Sequence, residues 1–131
     1  MRIKRETDYA IRCVNYLARK GEIAVIGEIS EGTLVTKDFA AKVLQKLARA
    51  GIVRSRRGIK GGFELAKDPA LISFLDIIEA IQPVGMNICA IDEGACSLSN
   101  SCAIHPVWME IREEIRGILS KRNFVNLAPS R

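Results

Sequence analysis

Apolar residues recur at intervals of three and four in four stretches of the chain, and this spacing predicts amphipathic α-helices. The four predicted helices span residues 5–20, 37–50, 74–82 and 106–121. A shorter helix is predicted over residues 25–31, with Gly32 as its end. Cys13 falls on the apolar face of the first helix, so we expect it in the core and not among metal ligands.

The helix over residues 37–50 follows Thr36, whose side chain can cap a helix N-terminus, and it stops before Gly51. Its inward stripe is predicted to be Phe39, Val43, Leu47 and Ala50. The predicted DNA-contacting residues of this segment are Thr36, Lys37, Asp38, Lys42 and Gln45. Two helices joined by a tight turn, with a polar face on the second, are typical of a helix-turn-helix.

The next segment, IVRSRRGIKGGFEL, predicts a basic β-hairpin, with strands over residues 52–55 and 63–65 and a thin glycine turn. A basic hairpin after a helix-turn-helix is the wing of a winged helix. We expect Arg57 and Gly58 to enter the minor groove of DNA. Five further cations are expected to meet phosphates: Arg2, Lys4, Arg5, Arg54 and Lys60.

The last predicted helix has an apolar stripe longer than one small domain can cover, so we interpret it as a dimerisation helix. The predicted dimer interface consists of Trp108, Ile111, Ile115 and Ile118. A two-fold dimer would present two recognition helices to a pseudo-palindromic DNA operator.

Together these elements predict a mainly α fold with a small β-hairpin, a winged helix-turn-helix followed by a long C-terminal dimerisation helix. The predicted divisions are a DNA-binding domain (1–83), a cysteine-rich loop (84–105), whose expected ligand is discussed below, the dimerisation helix (106–122) and a flexible tail (123–131).

Charge is segregated along the chain, which carries a formal net charge of +5. Residues 1–68 hold 15 Lys and Arg against 8 Asp and Glu, and residues 69–131 hold 5 against 7. A basic front half favours a polyanion partner, here double-stranded DNA. No apolar run reaches the length of a membrane span and the start lacks a signal-peptide core, so we expect no membrane partner and a cytoplasmic location. Because no convergent carboxylate pair or nucleophile–base set is visible, we expect no enzymatic activity.

The stretch CAIDEGACSLSNSCAIH places Cys89, Cys96, Cys102 and His105 within 17 residues. Thiolates and imidazole are ligands for iron–sulfur clusters, zinc and copper(I), and the intervening residues are typical of a loop that cannot pack itself. A disulfide and plain structural cysteines are the alternatives. The paired Cys-x-x-Cys knuckles of a zinc ribbon are absent from the sequence, so the pattern indicates a metal centre without naming the metal.

The wing motif and the three cysteines together resemble the bacterial winged-helix regulators of the IscR and NsrR type, which carry iron–sulfur clusters. The segments that carry the resemblance are TDYAIRCVNYLA, LQKLARAGIVRSRRGIKGGFELAKDP and the Cys-x6-Cys-x5-Cys loop. The chain departs from its relatives at Ala40 and Ala41, near the base-reading end, where relatives carry bulkier or polar residues. A relative's operator sequence therefore cannot be carried over.

The resemblance implies a homodimeric transcription factor whose cluster state sets its DNA affinity, with redox state, nitric oxide or iron–sulfur status as the signal. It also implies that Cys89, Cys96 and Cys102 are cluster ligands. The fourth ligand would be His105, as in the IscR type, or the partner's Asp8, as in the NsrR type. We favour His105 because imidazole is a better iron ligand than a helix-end carboxylate, and a two-iron cluster is then slightly favoured over a four-iron cluster. The alternative is a cluster-free regulator that uses the three cysteines as a thiol sensor or a zinc site.

Overall fold

The computed structural model describes residues 1–92, 94–98, 100–125 and 127. The helices it describes are α1 (Arg5–Lys20), α2 (Ile26–Thr33), α3 (Lys37–Arg49), α4 (Phe74–Ile81), α5 (Ile88–Ile91) and α6 (His105–Ser120), with a 3₁₀ turn over Pro69–Leu71. Two strands, β1 (Val53–Arg56) and β2 (Gly62–Leu65), pair antiparallel. The prediction of a mainly α winged-helix fold with a small hairpin is confirmed.

The main core forms where α1, α3 and α4 meet, and it excludes water from leucine, isoleucine and valine side chains such as Leu17, Leu44 and Ile77. Cys13 lies in this core with 0% of its surface exposed, as predicted. Burial raises the pKa of its thiol to about 12, against a weaker lowering effect of Arg12. Cys13 is therefore a packing residue.

The buried face of α3 differs from the predicted stripe. The residues that face the core are Ala40, Val43, Leu44 and Leu47, whereas Phe39 is 41% exposed and Ala50 is exposed. Both sets have helical spacing, so periodicity alone could not choose between them. The small Ala40 faces the core, and the Phe39 ring packs edge-on against Tyr9 with 5.4 Å between ring centroids.

Helix α2 continues through Gly32, which was predicted to end it, and stops where Leu34 adopts a left-handed backbone (φ 59°). Gly32 serves close packing, since a Cβ atom there would overlap the ring of Tyr16. The hydroxyl of Thr36 accepts a hydrogen bond from the backbone N–H of Phe39 at 3.3 Å and caps α3, as predicted.

The wing hairpin pairs Val53 with Leu65 and Arg56 with Gly62. It is anchored to the link between α1 and α2, because Ala24 and Phe63 exchange two backbone hydrogen bonds of 2.9 and 2.8 Å. Gly62 has a φ of 146°, and a Cβ atom there would overlap the carbonyl of Ala24. The glycine therefore permits this close backbone approach.

Helix α6 lies on α4, where Ile115 and Leu119 pack against a small cluster of Leu75, Ile78 and Val84. Residues 123–125 were assigned to a flexible tail, yet Phe124 is buried and stacks on Phe74 with 4.6 Å between ring centroids. The rest of that predicted tail, apart from Leu127, lies outside the described residues. Among the described residues, no helix combines the length and apolar character needed to cross a membrane.

Candidate nucleic-acid interface and cysteine cavity

Helix α3 presents the predicted base-reading side chains to solvent. Lys37, Asp38, Lys42 and Gln45 are all exposed. Asp38, Lys42 and Gln45 lie on the face opposite the buried Ala40 and Leu44, whereas Lys37, the first residue of α3, lies beside Gly27 of α2. Helix α2 packs against α3, which gives the two helices of the helix-turn-helix. The sequence position of Ala40 suggested that it lies near the base-reading end of the helix. Because Ala40 is fully buried, it cannot face a base.

The sequence pattern missed a row of rings and cations that joins α1 to α3. The Nζ of Lys42 lies 5.9 Å from the centroid of the Phe39 ring, and the guanidinium of Arg12 lies 5.5 Å from that of Tyr9. The two rings contact each other at 79°. Cation–π contacts of this kind restrain long side chains. They therefore favour a fixed orientation of Lys42 on the exposed face.

The wing carries two arginines that share one carboxylate. The Nε atoms of Arg54 and Arg56 lie 2.8 and 2.6 Å from Oε1 of Glu64. These hydrogen bonds, first from Arg54 and then from Arg56, hold the pKa of Glu64 below its ordinary value. Glu64 therefore stays ionised and orients both guanidinium groups.

The remaining basic candidates are also exposed. Arg57, Gly58 and Lys60 lie on the turn between the strands, and Arg2, Lys4 and Arg5 lie at or just before the start of α1. Gly58 has a positive φ of 109°, which a glycine adopts without strain. The structure thus leaves each predicted phosphate-contacting cation accessible to a ligand.

The four candidate cluster ligands line one cavity. Cys89, Cys96, Cys102 and His105 line a space of about 170 Å³, to which Trp108 also contributes. Cys89 is buried on α5, a single helical turn that the sequence did not predict. His105 is the first residue of α6, one residue earlier than predicted, so the helix start carries the imidazole to the cavity wall.

The donor set consists of three thiols and one imidazole at a shared cavity. Nδ1 of His105 is buried and has no hydrogen-bond partner among the described residues. No group of three Cys, His, Asp or Glu side chains that could hold a metal ion is found among the described residues. Thiolates and imidazole are ligands that iron–sulfur clusters and zinc both accept, so the chemistry of the donors is compatible with either.

Asp8 does not line this cavity. Its carboxylate makes an ion pair of 2.8 Å with Arg12, one helical turn further along α1. Both side chains are about half exposed. Asp8 is thus placed for a role on the outer surface of α1.

The four residues predicted to form a dimer interface are in different environments. Ile118 is 64% exposed and Ile111 is half-buried, whereas Ile115 packs on the core of its own chain and Trp108 lines the cysteine cavity. Val107, which was not among the four, adds to the exposed apolar surface of α6. No residue of α6 is fully buried in the described chain.

A helix-turn-helix followed by an anchored basic hairpin defines the winged-helix class of DNA-binding proteins. The family model for Rrf2, described as an iron-dependent transcriptional regulator, matches residues 3–130. The chain therefore belongs to the Rrf2 family of transcriptional regulators and, as predicted, is not an enzyme. The resemblance to the IscR type is confirmed at the level of the family.

Relatives in sequence and in fold agree with this assignment. The chain is 33% identical over 112 residues to an Aquifex aeolicus protein named "Putative HTH-type transcriptional regulator". The matched region covers 82% of this chain and 78% of the relative. The fold is similar to that of CymR, described as the global cysteine regulator of B. subtilis, with a TM-score of 0.70, 22% identity and coverage of 95% and 93%. T. potens IscR gives a TM-score of 0.70 at 20% identity, covering 99% of this chain and 94% of the other.

Proposed function

We propose that this protein is a homodimeric, DNA-binding transcriptional regulator whose operator affinity is controlled by an iron–sulfur cluster. The observation that carries the proposal is the convergence of Cys89, Cys96, Cys102 and His105 on one cavity in a winged-helix chain. The cluster would report redox state, nitric oxide or iron–sulfur status. Because its proposed partner is DNA, we expect the protein in the cytoplasm.

DNA would be read by α3 and by the wing. Lys37, Lys42 and Gln45 supply donors for base edges in the major groove, and Arg57 is placed on a thin turn that suits the minor groove. Phe39 is exposed in the first turn of α3, and its ring can contact a thymine methyl group. The other basic side chains would meet phosphates, so that affinity falls steeply with added salt.

The three cysteines would hold the cluster as thiolates, with His105 as the fourth ligand. His105 is favoured because its Nδ1 is buried at the cavity without a partner among the described residues. Imidazole ligation slightly favours a two-iron cluster. The bound cluster supplies a redox-active, nitric-oxide-reactive centre.

The cavity is joined directly to the helix that would form the dimer. His105 and Trp108 belong to both the cavity wall and α6. Nε of Arg112 donates a hydrogen bond of 3.1 Å to the carbonyl of Val84, the first residue of the cysteine segment (residues 84–105). A change of the cysteine segment would therefore shift α6. Since exposed Val107 and Ile118 would dock on a second copy, the distance between the two recognition helices would change.

The test is anaerobic purification of the full chain, with iron and sulfide analysis and visible absorption and Mössbauer spectra. We expect iron with matching sulfide, and an altered spectrum for His105→Ala but not for Asp8→Ala. An altered spectrum for Asp8→Ala alone would transfer the fourth ligand to a partner's α1. Iron-free protein that still binds DNA would overturn the cluster while leaving the DNA-binding function.

The second candidate function is a cluster-free thiol sensor, because Cys96 and Cys102 are only half-buried and line the same cavity. The fold neighbours include the oxidised form of Staphylococcus aureus CymR, at a TM-score of 0.72 and 24% identity. In this case the two thiols would form a disulfide, losing two electrons and two protons to a peroxide that is reduced to water. This candidate predicts DNA binding without iron and a disulfide that a thiol reductant reverses. A structural zinc site is the other cluster-free alternative, and metal analysis of the purified protein distinguishes it from a thiol sensor.

A further inference from the structure

Gln82, the residue that follows α4, is buried with only 6% of its surface exposed. Its backbone is extended, and its N–H closes the helix by donating to the carbonyl of Ile78 at 2.7 Å. A side-chain amide buried this deeply is costly unless it is hydrogen-bonded. Its partners therefore indicate what the residue holds in place.

Those partners lie at the other end of the chain. Oε1 of Gln82 accepts hydrogen bonds from the backbone N–H of Lys4 at 2.9 Å and from the hydroxyl of Thr7 at 2.6 Å. Nε2 donates to the backbone carbonyl of Arg2 at 3.0 Å. One side chain thus bonds the main chain of Arg2 and Lys4, about as a neighbouring strand would.

Residues 1–5, the N-terminal arm, read MRIKR and contain three cations and no anion. The side chains of Arg2, Lys4 and Arg5 are exposed. Because Gln82 bonds only main-chain groups of the arm, the charged groups stay free for an anionic partner. An arm that is already ordered loses less conformational entropy on binding than a loose one.

We propose that Gln82 is a positioning residue for DNA binding, which holds the N-terminal arm against the end of α4 so that Arg2 and Lys4 meet the DNA backbone from a fixed position. This inference rests on the proposed DNA-binding function. Gln82 itself needs no contact with DNA. Two residues further on lies Val84, which is bonded to α6, so the arm and the cysteine segment are fixed at neighbouring points.

The test compares two variants of the full chain. Gln82→Met keeps a long side chain but removes all three hydrogen bonds, whereas Thr7→Val removes one bond to Gln82 and leaves the main chain of the arm bonded. We expect Gln82→Met to expose the Lys4 amide to hydrogen exchange and to weaken binding to a mixed-sequence duplex at low salt by about tenfold, the scale of one residue's ordering entropy. Thr7→Val should change neither quantity by a comparable amount.

A double-mutant cycle separates positioning from a general loss of structure. The double substitution Arg2→Ala and Lys4→Ala removes the charges but keeps the main-chain hydrogen bonds. The loss of DNA affinity that it causes should be large in the wild-type background and small in the Gln82→Met background. If Gln82→Met does not fold, Gln82→Leu carries the same test, since it also removes all three hydrogen bonds and adds no charge.

Two results would overturn the inference alone: additive losses in the cycle, or a Lys4 amide that stays protected in the Gln82 variant. Wild-type protein that binds no duplex at low salt would instead remove the proposed function, and the inference with it. Non-additive losses together with an exposed Lys4 amide would support the inference.

Discussion

The winged helix and the segment from Val84 to Ser120 use the same kinds of residue in different ways. In the winged helix the apolar side chains of α1 and α3 are buried against each other, and Cys13 is one of them. In the later segment, as far as the structure describes the chain, α6 has no fully buried residue, and the cysteines before it line a cavity. The first region is thus stabilised by its own contacts. The second leaves the Cys and His side chains of the cavity and the apolar face of α6 available to a ligand or a partner.

This difference separates residues that support the fold from residues that support function. A buried cysteine in a packed core behaves as a small apolar residue, while a half-buried cysteine at a cavity keeps its chemistry. Both kinds occur in this chain, which therefore contains its own control. The first predictions below compare cysteines of the two regions, and the later ones compare two positions within one region.

The largest effect is expected from serine substitutions of two cysteines. Cys102→Ser should lose most of its iron after anaerobic purification, yet the free energy of unfolding of the cluster-free protein should change by no more than ~0.5 kcal/mol. Cys13→Ser should keep its iron but lose about 1–3 kcal/mol of stability, because the serine hydroxyl would be buried among apolar side chains. Iron analysis and urea unfolding measure the two quantities. Full iron in Cys102→Ser would show that the cavity does not hold the cluster.

The rate of cysteine alkylation should differ between the same two regions in the unmutated protein. Burial raises the pKa of Cys13 from 9.0 to about 12, so at neutral pH its thiolate fraction is roughly a thousandfold below that of an unshifted thiol. Iodoacetamide should therefore modify Cys96 and Cys102 of the folded, cluster-free protein while Cys13 reacts only after unfolding. Mass spectrometry of peptides measures each site. Equal rates at Cys13 and Cys96 would contradict the packed core.

The raised pKa of Cys13 also fixes the sign of a pH effect. The folded state favours the protonated thiol, so this contribution to stability is complete below pH 9.0 and is lost as the pH rises towards 12. Cys13→Ala lacks the group, and its urea midpoint should fall less steeply over that range. A parallel fall in both proteins would mean that other groups account for the pH dependence.

Local signals in the sequence were sufficient to predict most of the winged helix. Thr36 and Gly51 bracket α3, and the glycines of the wing mark its turn, because caps and turns depend on neighbouring residues. The rotation of α3 was not predictable, since the stripes containing Phe39 and Ala40 have the same period. The choice between them depends on packing against α1, which lies far away in sequence.

The same distinction applies to the candidate sites. The four donors lie within 17 residues, so their meeting at one cavity was predictable from spacing. The bonds from Gln82 to the N-terminal arm join residues 78 and 80 positions apart, and the stacking of Phe124 on Phe74 also needs the folded chain. Neither contact has a periodic or local signature.

A charge placed on the exposed apolar face of α6 tests whether that surface is covered by a second copy. Ile118→Glu should weaken dimerisation by about a hundredfold, because a carboxylate would be taken from water into an apolar interface. Ser120→Glu adds the same charge to the same helix at an exposed polar position and should have little effect. Sedimentation equilibrium measures both. Equal dissociation constants for the two variants would place the dimer interface elsewhere.

The smallest predicted effect compares two arginines of the basic half. Arg57→Ala should weaken binding to an operator selected from random duplexes by about tenfold, while affecting a scrambled duplex less, since a minor-groove arginine reads local DNA shape. Arg5→Ala should weaken binding to both duplexes by a similar, smaller factor and lower the salt dependence, as expected of a phosphate contact. Fluorescence anisotropy over a salt series measures both. Equal losses on the two duplexes for Arg57→Ala would make the wing a second phosphate-binding element, and sequence choice would then belong to α3 alone.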